Sequence, residues 1–161
     1  MSDLRDLYQE LIIDHGRKPR NFGELASANH VKEGFNPLCG DKLTLYIDTK
    51  NNHIEDLKFN GSGCAISVAS ASLMTEVMKG KTMNEAQTLF EQFHEVVTGK
   101  ADAENLNHVS KLKALAGVAE FPARVKCASL CWHTLMAALE SPPIVVGTGS
   151  ELKDDAPIST E

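Results

Sequence analysis

With 161 residues the chain has room for one domain with a substantial core. Its 16 basic and 22 acidic residues leave a net charge of −6 with no long basic stripe, which argues against nucleic acid as a partner. No apolar run reaches the roughly 20 residues of a membrane span, and Met1-Ser2-Asp3-Leu4 is too polar for a signal peptide. A cytoplasmic protein without membrane contact is therefore expected, and its four cysteines should be metal ligands, reactive thiols or buried small groups rather than disulfides.

From Asp3 to His15, Leu4, Leu7, Tyr8, Leu11 and Ile12 fall at three-and-four spacing, which predicts an amphipathic helix ended by Gly16. Arg17 to Glu24, with Pro19 and Gly23, reads as an exposed loop ahead of a short extended segment near Asn29 to Lys32. Leu43, Leu45 and Ile47 alternate with polar neighbours and predict a half-buried strand. Asn51-Asn52 should turn it into a hairpin, whose returning strand carries Leu57 and Phe59 towards Gly61. That pairing would bring Cys39 and Asp41 beside Cys64.

A small-residue helix is expected from Cys64 to Lys79, with Ile66, Ala69, Leu73, Met74 and Val77 as its apolar face and Gly80 after its end. Thr82 and Glu85 form a capping-box pair in front of a second helix that ends at Gly99. Lys100 to Asn107 is polar and reads as a loop, followed by a short helical patch of Leu106, Val109, Leu112 and Leu115 closed by Gly117. Pro122 suits the first turn of a last helix, which runs until Ser141-Pro142-Pro143. One domain over 1–141 and a flexible tail over 142–161 complete the expected organisation, since the tail is mostly small, polar and acidic.

Chemistry gathers around Asn36-Pro37-Leu38-Cys39-Gly40-Asp41, where a thiol and a carboxylate stand two residues apart. Zinc and iron favour thiolate sulfur completed by carboxylate or imidazole, and Cys39, Asp41, Cys64 and Cys127 supply such a set from three segments. Cys64 opens a helix, where the helix dipole favours the thiolate. Arg124, one turn before Cys127, and Lys42, next to Asp41, are candidate cations to balance the negative ligands.

Cys131 is a rival ligand, only about 40° around the helix from Cys127, although a buried small apolar role suits it better. His133 points about 240° away from Cys127. His15, His30, His53, His94 and His108 adjoin no cysteine and are expected at the surface or in caps. The paired Cys-x-x-Cys knuckles of a closed structural zinc knot are absent, so the scattered ligands with a carboxylate suggest an exchangeable site. A thiol hydrolase or redox protein fits less well, without a neighbouring histidine base or Cys-x-x-Cys.

Three blocks, Asn36 to Asp41, Gly61-Ser62-Gly63-Cys64-Ala65-Ile66-Ser67, and Glu120-Phe121-Pro122-Ala123-Arg124-Val125-Lys126-Cys127, resemble the iron–sulfur cluster assembly proteins related to IscU and the N-terminal part of NifU. The resemblance runs from about Leu4 to Leu139, and its closest form is the SufU type. It implies an α+β fold, a small antiparallel sheet with helices packed on one face. By position it makes Cys39, Asp41, Cys64 and Cys127 the metal ligands, Cys39 the sulfur acceptor and Arg124 the stabiliser of the freed thiolate.

Two functions are implied, each a carrier or scaffold role rather than an independent turnover enzyme. In the first, Zn2+ holds Cys39 until a SufS-like cysteine desulfurase docks and a desulfurase histidine takes its place on the metal, freeing it to accept persulfide sulfur. In the second, Cys39, Cys64 and Cys127 hold a transient [2Fe-2S] cluster for downstream assembly or acceptor proteins. Lys126 stands where IscU carries a histidine, and Phe121 to Lys126 departs from the Leu-Pro-Pro-Val-Lys chaperone motif. Both departures, with the extra segment of about Lys100 to Gly117, favour the SufU type and the first function.

Overall fold

The computed structural model describes residues 2–141 and 158–159. Helix α1 (Ser2–Arg17) precedes strands β1 (His30–Asn36), β2 (Asp41–Lys50) and β3 (His53–Ser62), followed by α2 (Ala65–Met78) and α3 (Met83–Val97). A 3-10 segment (Ala103–Glu120) then leads into α4 (Pro122–Glu140), and β4 (Ile158–Ser159) closes the order. The sheet runs β3-β2-β1-β4, antiparallel among the first three, with β4 parallel to β1 at Gly34 and Phe35. Apart from Ile158 and Ser159, the expected tail over 142–161 lies outside the described residues.

Alternation in β2 decides which face is covered. Leu43, Leu45 and Ile47 are buried with Leu57 and Phe59 of β3, while Lys42, Thr44 and Tyr46 point to the other side. Helices α2 and α4 cover the apolar face, and the fold is α+β with helices on one side of a small antiparallel sheet. Asn51 and Asn52, at φ 52° and 65°, make the tight turn that the right-handed twist of a hairpin requires. Behind the sheet, Phe93 of α3 stacks on Trp132 of α4 at 4.1 Å between ring centroids. Each such fully buried large side chain contributes about 1.5–3 kcal/mol.

The capping box forms as the sequence predicts, with Thr82 accepting from Glu85 N–H and Glu85 accepting from Thr82 N–H. The stretch after α3 differs from expectation. Asp102 caps a run of 3-10 turns, interrupted at Leu106 and Val109, that passes through Gly117 to Glu120. The reason is spacing: buried Leu112, Leu115 and Val118 recur every three residues, the period of a 3-10 helix and not of an α-helix.

Two histidine expectations fail. His15 and His30 are buried, not surface or capping residues. Ser72 Oγ accepts from the Arg20 backbone N–H and lies 2.7 Å from Nδ1 of His15, a hydrogen bond that clamps α1 onto α2. Nε2 of His15 faces Glu76 at 3.6 Å. A short polar side chain on α2 thus makes room for a ring that an apolar-face reading leaves outside.

Candidate metal and sulfur site

The β1–β2 turn presents Cys39. Pro37 sets the φ of a tight turn in which Cys39 N–H and Gly40 N–H both donate to the Asn36 carbonyl, at 3.3 and 2.8 Å. Gly40, at φ +72°, returns the chain to Asp41. Leu38, Cys39 and Gly40 are exposed, whereas Asp41, first residue of β2, is fully buried.

Asp41 reaches across the hairpin. Its Oδ1 accepts the Cys64 backbone N–H at 2.9 Å, an approach that Gly63 permits, because a Cβ there would lie 2.4 Å from that oxygen. Cys64 is the N-cap of α2, its sulfur accepting from Ser67 N–H at 3.4 Å. Cys127, one and a half turns into α4, is buried, and its thiol lies 3.2 Å from Sγ of Cys39. Cys39, Asp41 and Cys127 offer donor atoms that all lie within 4.8 Å of one another. Cys64 stands outside that mutual set, although its thiol borders Cys127.

Among the described residues, neither candidate cation, Lys42 nor Arg124, stands within this cluster. Burial pushes the Cys127 thiol well above its ordinary range, and the neighbouring Cys39, Asp41 and Cys64 push it the same way. Lys42 pairs with Phe35 on the opposite face of the pleat, its ammonium 5.9 Å from the ring centroid. Arg124 is exposed with its guanidinium over Phe121, 5.5 Å from the ring centroid, and makes no ion pair among the described residues. Two sulfurs and a buried carboxylate oxygen that repel one another as anions fit a thiophilic dication, which would let all three ionise together.

Cys131 takes no part. It is enclosed between α2 and α4 beside Ser70, and burial pushes its thiol up to about 12. His133 faces the rings of Phe90 and His94. The residue that reasoning from sequence passed over is Asn36, whose side chain is buried against Asp41 and Cys127. Its place beside Pro37 in the anchoring hexapeptide was the available signal.

Known proteins carry the same architecture. The NifU-like N-terminal domain family matches residues 7–128. The chain is 40% identical over 134 residues to the zinc-dependent sulfurtransferase SufU of Bacillus subtilis, covering 83% of this chain and 90% of that protein. It is 38% identical over 140 residues to the iron–sulfur cluster assembly scaffold protein IscU of Streptococcus pyogenes, covering 87% of each. A crystal structure of a putative SUF-system scaffold protein from Fervidobacterium islandicum superposes with a TM-score of 0.72 at 37% identity, covering 81% of this chain and 94% of that one. The chain accordingly belongs to the NifU-like N-terminal domain family of iron–sulfur cluster assembly proteins, among relatives of both the SufU and the IscU kind.

Proposed function

We propose that the chain is a zinc-dependent sulfur acceptor that takes persulfide sulfur from a SufS-like cysteine desulfurase in the cytoplasm, and that Cys39 is the accepting residue. The observation that carries this reading is an asymmetry of access: Cys39 is exposed at a turn, while Asp41 and Cys127, its partners within 4.8 Å, are buried. A group built only to hold an ion would gain from enclosing all its ligands; here Cys39 and Cys64 are both exposed, and of the two only Cys39 stands among the three mutually close donors, where a partner's cysteine can reach it.

Cys39, Asp41 and Cys127 would hold zinc, with Cys64 as the fourth ligand from the start of α2. When bound, the ion would keep these thiols deprotonated and protected from oxidation. The chain's own groups do the rest. The turn holds the Cys39 backbone through the Asn36 carbonyl. Its thiolate attacks the outer sulfur of the desulfurase persulfide, a new S–S bond forms on Cys39, and the old S–S bond breaks with its electron pair returning to the desulfurase cysteine. Arg124, free to swing from Phe121 on the exposed first turn of α4, steadies the thiolate charge. Exposed Leu38 and Phe121 offer apolar contact to the docking desulfurase. The test is Cys39→Ala with the desulfurase: stimulation of cysteine desulfuration should be abolished, and unchanged stimulation overturns the reading.

The similarity to IscU scaffolds supports a second reading, in which Cys39, Cys64 and Cys127 receive a [2Fe-2S] cluster as cargo for downstream acceptors. Anaerobic reconstitution with iron and sulfide separates the two. A stoichiometric, transferable cluster favours the scaffold, and retained zinc without a cluster favours the sulfur acceptor.

A further inference from the structure

We propose that Asn36 is a positioning residue of this site, its side-chain NH2 group shared between the two buried ligands, Asp41 and Cys127. The inference rests on the metal-binding reading above. Asn36 ends β1 and pairs in register with Asp41 at the start of β2, so the two side chains stand side by side on the covered face of the sheet. Nδ2 of Asn36 lies 3.5 Å from Oδ2 of Asp41 and 3.9 Å from Sγ of Cys127.

The direction of the amide is set from the other end. Oδ1 of Asn36 accepts the Leu38 backbone N–H at 3.2 Å, so the NH2 group must face the ligands. One neutral side chain therefore spans ligands from β2 and α4, which are otherwise 86 positions apart in the chain and share no backbone bond. The division of labour on Asp41 is complete: Cys64 N–H takes Oδ1, and Asn36 takes Oδ2. Both donors are neutral, so they orient the carboxylate without competing with a cation for its charge. The two contacts from Asn36 are long, at 3.5 and 3.9 Å.

Asn36 also shapes the Cys39 turn through its backbone carbonyl and Oδ1, so a test has to separate the turn from the ligand contact. Asn36→Asp does so, since it keeps an oxygen for Leu38 N–H and puts a charged carboxylate oxygen in place of the NH2 donor. Asn36→Ala removes both and introduces no charge. The full chain of each variant is loaded with zinc, and retention is measured against a chromophoric chelator, with cobalt(II) loading to read the thiolate charge-transfer bands. Amide exchange at Leu38 is followed in the metal-free chains.

Asn36→Asp should weaken zinc retention by roughly 10- to 100-fold and shift the cobalt bands while Leu38 exchange stays as in the unaltered chain. Asn36→Ala should weaken retention and also speed Leu38 exchange. Variants that hold zinc as tightly as the unaltered chain, with the same cobalt bands, overturn the role of Asn36 alone. An unaltered chain that retains neither ion overturns the metal-binding reading and this inference with it.

Discussion

The backbone N–H of Cys64 donates to Oδ1 of Asp41 across 2.9 Å, and this one bond ties the start of α2 to the start of β2. It exists because nothing but hydrogen occupies the Cα of Gly63 on the side facing the carboxylate, where a Cβ would stand 2.4 Å from Oδ1 and 3.1 Å from Cγ. Gly63→Ala must therefore displace either the carboxylate or the helix start. We expect zinc retention against a competing chelator to fall by about 10- to 100-fold, the range found when a ligand loses its supporting partner. Circular dichroism should show the helices intact, because Gly63 precedes α2 and lies exposed. Retention equal to that of the unaltered chain would mean that Asp41 is not held through this approach.

Thiol reactivity should sort the cysteines by position. Cys39 and Cys64 are exposed, whereas Cys131 is buried with its thiol raised to about 12. Only the thiolate reacts with iodoacetamide, so at pH 8 Cys131 would be about a thousandfold slower than an ordinary thiol even if reagent reached it. Mass spectrometry of the metal-free, native chain should find Cys39 and Cys64 modified first and Cys131 last, after unfolding. Early labelling of Cys131 would show that the α2–α4 interface opens more readily than its packing implies.

Much of this organisation is legible in the sequence, and the failures share a cause. The asparagine pair predicts the β2–β3 hairpin because few residues accept positive φ twice in succession, and that hairpin accounts for the closeness of Asp41 and Cys64. What linear reading loses is direction. Lys42 adjoins Asp41 in the chain, yet the pleat sends it to the opposite face, over Phe35. Arg124 precedes Cys127 by one helical turn, but its exposed guanidinium rests over Phe121. Ser70 and Ser72 on α2 fall outside the apolar face that the sequence pattern picks out, yet both are buried and bonded across elements, Ser70 to Trp132 and the Ala128 carbonyl, Ser72 to His15 and the Arg20 N–H.

Buried histidines predict how stability follows pH. Burial lowers His15, with the Arg20 charge acting in the same direction and Glu76 against it. Burial also lowers His30, opposed by the Ala138 carbonyl, and lowers His133, aided by the nearby His94. In each case the unfolded chain binds the proton first as pH falls, so protonation favours unfolding. Stability should thus be flat above the ordinary histidine value of 6.5 and should decline as pH falls below it. Urea midpoints of the metal-free chain at pH 7.5 and 5.5 would measure this, and His15→Gln should reduce the difference. A midpoint that rises on acidification would contradict the assignment of these rings as neutral.

The last prediction concerns the seam beneath the site. Ser70 Oγ accepts the Trp132 indole N–H at 3.0 Å and donates to the Ala128 carbonyl at 2.5 Å, so one hydroxyl links α2 to α4 one turn below Cys127. Trp132 is fully buried, out of reach of bulk solvent. Ser70→Ala would leave its N–H without an acceptor, at a cost of about 1–3 kcal/mol for a buried donor. Trp132 is the single tryptophan, so its fluorescence reports this seam directly. The urea midpoint read by that fluorescence should drop accordingly, and zinc retention should change less than in Gly63→Ala, because Ser70 touches α4 and not a ligand. If retention instead collapsed with only a small loss of stability, the α2–α4 seam would be setting the position of Cys127, and the site would be sensitive to helix packing as well as to the turn that carries Cys39.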